Sequence, residues 1–173
     1  SNSSQSTEGR TTDYPQQHEQ REKTKMTISK DNISVKGHVT WTLFDKDGKV
    51  KDHGEVDNLV VQTGRELIAS QLAEEDIGKP SHMAIGQDET EPVLSDTTLR
   101  SELARVVLTS TERTGNTVVY EATFPATVGT GEIVEAGIFN AESAGVMLNR
   151  ATFGIITKES ADTLTISWGI SIL

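Results

Sequence analysis

The chain has 173 residues, a formal net charge of −10, 34% hydrophobic and 24% charged residues, and no cysteine. That length suits one domain with a substantial core, and the lack of cysteine excludes disulfide scaffolds, thiol nucleophiles and Cys-ligated zinc. No run of about 18 apolar residues is present to form a membrane-spanning helix, and the acidic balance argues against general nucleic-acid binding, which rests on Lys and Arg neutralising phosphates.

Residues 1–25 stand apart from the rest. Tyr14 is their one large apolar side chain, and Arg10, Arg21, Lys23 and Lys25 balance Glu8, Asp13, Glu19 and Glu22. The segment is therefore neutral, and residues 26–173 carry the whole net charge of −10. Such a segment buries too little surface to offset its ordering entropy, so a neighbouring subunit or a larger assembly is expected to order it. It has no apolar h-region, so no signal peptide is expected. The first residue, Ser1, fits removal of an initiator methionine or of a longer precursor. The expected organisation is a polar extended arm over 1–25 and a β-domain over 26–173.

Beyond the arm, the pattern is strand after strand. Ile33, Val35, Gly37, Val39, Trp41 and Leu43 fall on one face of a period-two run, with Ser34, Lys36, His38, Thr40 and Thr42 on the other, as in a half-buried strand. Asp45-Lys46-Asp47-Gly48-Lys49 supplies a turn into a second strand, Val50 to Val61. Thr63-Gly64-Arg65-Glu66 fits a capping box opening a short helix with an apolar stripe of Leu67, Ile68 and Leu72, ended by Gly78-Lys79-Pro80. A short strand, His82 to Gly86, and a polar loop, Gln87 to Ser95, lead to an expected helical turn with Leu99 and Leu103 at i, i+4.

Strands are then expected over Ala104 to Glu112 and Thr117 to Ala126, flanking the hairpin signal Arg113-Thr114-Gly115-Asn116. Three more cover Glu132 to Asn140, Val146 to Lys158 and Thr163 to Leu173, the last with Leu164, Ile166, Trp168, Ile170 and Ile172 facing inward. The predicted fold is an all-β, antiparallel, eight-stranded sandwich of the jelly-roll type with one or two short helices. Its core should include Val39, Trp41, Leu43, Ile166, Trp168 and Ile170.

Few residues suggest chemistry. Asp45-x-Asp47-Gly48 resembles the start of a calcium loop, but a bidentate Glu is needed about twelve positions on, and Val56 stands there with Glu55 beside it. The stretch is read as a hairpin turn. His18, His38, His53 and His82 show no metal-ligand spacing. No nucleophile elbow, phosphate loop or dinucleotide fingerprint occurs, and Gly129-x-Gly131 reads as a turn. Glu132 and Glu135, at i, i+3 on a strand, point to opposite faces, against shared acid–base work. No enzyme activity, catalytic residue, metal site or cofactor is expected.

Two stretches are similar to those of small structural proteins from tailed viruses. The first is His82-Met-Ala-Ile-Gly-Gln followed by Ser95-Asp-Thr-Thr-Leu-Arg-Ser-Glu-Leu-Ala-Arg105; the second is Glu135-Ala-Gly-Ile-Phe-Asn-Ala, then Gly145-Val-Met-Leu-Asn-Arg-Ala-Thr-Phe153, then Lys158 and Asp162-Thr-Leu-Thr-Ile-Ser-Trp168. The chain thus resembles β-rich virion components, among them capsid-decorating proteins and tail-fibre or baseplate modules, over roughly residues 60–173. The resemblance implies a structural role and supplies no catalytic residues. A lysine-poor composition, 9 of 16 basic residues, with 26 acidic ones and 22 threonines, also suits a high-salt host.

The expected function is capsid decoration or cementing, with the sandwich on the shell and the arm as anchor along the major capsid protein or other virion subunits. The alternative is a tail-fibre or baseplate module, and a third reading is a carbohydrate-binding domain. The absence of coiled-coil heptads or a fibrous repeat favours the shell over the tail. A homo-oligomer, with a trimer favoured, is expected on symmetry grounds. Neither nucleic acid nor membrane is an expected partner, and assembly is expected in the host cytoplasm.

Overall fold

A computed structural model of the chain describes residues 32–173; the expected arm over 1–25 and His18 lie outside the described residues. Among the described residues nine strands and one helix follow in the order β1 (Val35–Phe44), β2 (Val50–Val60), α1 (Gln62–Leu72), β3 (His82–Gly86), β4 (Glu102–Val107), β5 (Ser110–Thr114), β6 (Thr117–Phe124), β7 (Gly131–Phe139), β8 (Met147–Lys158) and β9 (Thr163–Ile172). All pairings are antiparallel. They form one continuous sheet in the order β4-β3-β7-β8-β2-β1-β9-β6-β5.

This differs from the expected eight-stranded sandwich or jelly roll, which would be two separate sheets. The sheet curls at β2. That strand pairs with β1 along most of its length, from Asn58 to Val50, but meets β8 only through Leu59 and Val60. Side chains from both halves then share one core, with Val39 and Leu43 of β1 and Ile166 and Trp168 of β9 packed among Ile85, Ile138, Ala151 and Ile156. Full burial of each large aliphatic side chain contributes about 1.5–3 kcal/mol.

The period-two reading holds where it was clearest. Val39, Leu43, Ile166, Trp168 and Ile170 are buried, and Trp41 packs half-buried against the same core. It fails at the ends, where Ile33 precedes β1 and Ile172 closes β9, and both are exposed. The Asp45–Lys49 turn forms as expected. Asp45 Oδ1 accepts the amides of Asp47 and Lys49, both at 2.9 Å, and Gly48 takes φ 77°. In the second hairpin, Gly115 adopts φ 58° as the first of two turn residues, as a II′ turn requires.

Four expectations need correction. The ninth strand arises because the stretch Ala104–Glu112 is not one strand. The chain crosses from one half of the sheet to the other at Leu108 and Thr109, whose amides donate to Ser81 and Glu121 carbonyls, so β4 pairs with β3 and β5 with β6. The helical turn at Leu99–Leu103 is absent, because Leu103 already lies in β4 and Leu99 turns inward from an irregular loop. The capping box does not form either. Val61 is the N-cap without a side-chain bond, and the Thr63 hydroxyl donates instead to the Met147 carbonyl at 2.8 Å. Finally, α1 stops at Leu72, before the Gly78-Lys79-Pro80 breaker, with Glu74 at φ 55° just beyond it. One face of the helix sits close on β8, since a Cβ at Gly64 would collide with the Leu148 backbone.

Candidate functional site

The residues considered for chemistry do not converge. Asp45 and Asp47 belong to the hairpin turn, and Gly129 (φ 70°) and Gly131 (φ 142°) shape the entry to β7. His82 bonds to the Ser81 hydroxyl, and His53 stands exposed on β2. Among the described residues, no group of three or more His, Cys, Asp or Glu is placed to hold a metal ion, and no helix is long and apolar enough to cross a membrane. Glu132 is exposed while Glu135 is fully buried. A register shift between Ile133 and Glu135 breaks the alternation between them, so burial rather than strand face is what separates the two carboxylates.

Glu135 anchors the one buried polar network of this size among the described residues. Its carboxylate accepts the amides of Ser101 (2.8 Å), Arg100 (3.2 Å) and Asp88 (3.4 Å), and Nε of Arg150 at 2.9 Å. Arg150 is itself fully buried. Its remaining donors go to the carbonyls of Thr90 (2.8 Å) and Asp88 (3.4 Å) and to Asp96 Oδ2 at 3.2 Å. Asp96 also receives the Val93 amide and pairs with Arg100. Charges this deep persist only when every donor and acceptor is occupied.

The effect is to bolt the loop of residues 87–101 as a strap across β3, β7 and β8. Beneath it, Leu99 closes a second apolar cluster with Val61, Ala84, Phe139 and Met147. At its border, the Arg105 guanidinium stacks 3.8 Å over the Phe139 ring and donates to the Ala141 and Ala144 carbonyls. With its lone pairs committed to backbone amides and Arg150, the Glu135 carboxylate serves as a structural bolt. The sequence reading did not assign this role. Its signal was present: one acidic residue inside the apolar run Ile133–Phe139 and one basic residue inside Met147–Ala151.

Three segments of the two stretches that carry the resemblance meet at this place. Ser95–Arg105 supplies Asp96, Leu99, Arg100 and Ser101; Glu135–Ala141 supplies Glu135 and Phe139; Gly145–Phe153 supplies Met147 and Arg150.

The outer face of β1, β9 and β6 carries a shallow trough of about 440 Å³, floored by Gly169 and edged by Thr40, Ser167, Ser171 and His38. His38 Nδ1 lies 2.9 Å from Asp57 and Nε2 3.2 Å from Glu55. The Asp57 bond, then that of Glu55, holds the imidazolium above its ordinary 6.5. Because the folded pKa is raised, this pairing stabilises the fold fully below pH 6.5 and is lost as pH rises through the folded value. The side chain is 50% exposed, which screens the effect. In an NMR titration His38 should therefore change protonation above 6.5, and Asp57→Asn should lower that midpoint more than Glu55→Gln. A midpoint at 6.5 in the unaltered chain would refute the pairing. Among the described residues every aromatic side chain is buried or half-buried, so this trough offers no stacking platform of the kind the carbohydrate-binding reading wants.

One comparison identifies the family. A family model described as phage tail-collar fibre protein, N-terminal, matches residues 55–161, more than half of the chain. No curated protein and no solved structure matches the chain. The matched span contains β3–β8, the strap and the Glu135–Arg150 pair. It favours the tail-fibre alternative over the capsid decoration expected first. The chain belongs to the phage tail-collar fibre N-terminal family and is a structural protein of the virion.

Proposed function

We propose that this chain is a non-catalytic module of a tail fibre, acting in the collar or fibre region of the virion rather than on the capsid shell. The observation that carries this reading is the family match over residues 55–161, which coincides with the bolted strap. A rigid β-domain whose buried charges are spent on holding a surface loop suits a part that must keep its shape under load. In this reading the module works as a homo-oligomer, a trimer for preference, since closed symmetry satisfies repeated contacts. The neutral segment 1–25 would add contacts to other tail subunits, since its composition supports folding on a partner.

Immunogold electron microscopy of whole virions, with antibody raised to residues 32–173, tests the placement. Label confined to the tail, with few copies per particle, is the expected result. Label spread over the shell, with hundreds of copies, would restore capsid decoration and overturn the tail reading.

A further inference from the structure

An apolar groove of about 230 Å³ opens between the C-terminal half of α1 and the ends of β6 and β9. Ile68 and Leu72 of α1, Val118 of β6, Leu148 of β8 and Ile170 and Ile172 of β9 line it. Leu72 is 85% exposed and Ile172 43%, so the concave apolar surface has projecting apolar walls that none of the described residues covers. The polar residues of the lining, Gln71, Asn116 and Tyr120, are uncharged.

Acidic residues follow directly on Leu72, where the helix that walls this groove ends. Past Leu72 the Glu74 amide donates to the Gln71 carbonyl and the Glu75 amide to that of Ser70. These bonds hold the exposed run Glu74-Glu75-Asp76 at the helix C-terminus. That terminus carries partial negative charge, which basic side chains ordinarily offset. The last turn contains none, and among the described residues none of the three acids has an ion-pair partner. The acidic run thus opposes the helix it follows, and among the described residues no basic side chain offsets it.

We propose that the groove receives a short apolar segment of a neighbouring virion subunit, with lysine or arginine beside its apolar side chains and the cation resting on the Glu74–Asp76 end. A two-fold contact between two copies of this groove is the poorer occupant, because it would bring two acidic runs together on chains of net charge −10. The docking site rests on the reading of the chain as a virion subunit only for the source of that segment.

Two labelled peptides with a common Leu-Ile-Leu centre, one flanked by lysines and one by glutamates, test it by fluorescence anisotropy against the full chain. The lysine-flanked peptide should bind at least about tenfold more tightly. Leu72→Ser, at an exposed position that folding does not need, should weaken it by about tenfold. The combined Glu74→Gln, Glu75→Gln, Asp76→Asn change should weaken it similarly at low salt and have little effect at high salt. No binding, equal binding of both peptides, or binding indifferent to Leu72→Ser would overturn the site. Self-association of the chain that Leu72→Ser abolishes would overturn it in favour of a second copy. Virion label on the shell would overturn the tail placement while leaving a positive peptide result intact, so the two readings fail separately.

Discussion

Arg150→Ala is expected to cost the domain about 3–5 kcal/mol, the usual penalty for stranding one member of a buried ion pair. The loss follows from geometry. Glu135 and Arg150 are both fully buried, and the guanidinium supplies donors to Glu135, Asp96 and the carbonyls of Asp88 and Thr90. Without it, the Glu135 carboxylate keeps three amide donors but loses its counter-ion in a low-dielectric site. Arg150→Lys should rescue little, because one ammonium cannot reproduce the planar fork that spans these acceptors.

A second variant separates charge from hydrogen bonding. In an Arg150→Met background, Glu135→Gln removes the orphaned charge and keeps an oxygen for the Ser101 amide. It should recover part of the loss, whereas Glu135→Leu, which abandons all three amides, should recover less. Urea unfolding with an unchanged slope is the measurement, read as the shift in midpoint. Limited proteolysis should show cleavage within residues 87–101 in Arg150→Ala and not in the unaltered chain. If Arg150→Ala stays within about 1 kcal/mol of the unaltered chain, well below the cost of an unpaired buried charge, the strap is not bolted in this way.

What the sequence revealed and what it hid divide along the range of the forces involved. The faces of β1 and β9 were legible because alternation is local: Val39 and Trp168 are inward whatever their partners turn out to be. The Asp45–Lys49 turn was legible for the same reason, being closed by its own side chain. The break at Leu108–Thr109 was not, since residues 104–112 are β-compatible throughout and only the choice between β3 and β6 as partner divides them. At Thr63 a local capping bond lost to a tertiary one, to the Met147 carbonyl. Leu99 and Leu103 have helical spacing, yet the amides of Arg100 and Ser101 are claimed by Glu135, leaving no helical turn between the two leucines. The groove beside α1 was likewise hidden, because the stripe reading placed Leu72 inward and it stands exposed.

Trp168→Ala is expected to destabilise the fold by about 3–5 kcal/mol, as large-to-small changes at buried aromatics do. Trp168 is the largest fully buried side chain. It lies on the inner face of β9 between Val39 of β1 and Tyr120 of β6, where the central pairings of that half of the sheet cross. Its indole also has a polar partner: Nε1 donates to Asn58 Oδ1 at 2.8 Å. Asn58 in turn lies against Gly37, where a Cβ would collide with its side chain, so glycine, amide and indole fix the β1–β2–β9 crossing together. Trp168→Phe isolates the polar part. It keeps most of the ring volume but leaves the Asn58 oxygen without its donor, next to an Nδ2 that already has no partner. That loss should cost about 1–3 kcal/mol. Gly37→Ala should cost a comparable amount by driving Asn58 off the same bond, and the two changes combined should cost less than their sum because they break one contact. The chain has two tryptophans, so Trp41→Phe leaves the buried indole as sole reporter, and its blue-shifted emission should move red in one step on urea unfolding. A Trp168→Phe variant as stable as the unaltered chain would show that the Asn58 bond contributes nothing and that volume alone sets the crossing.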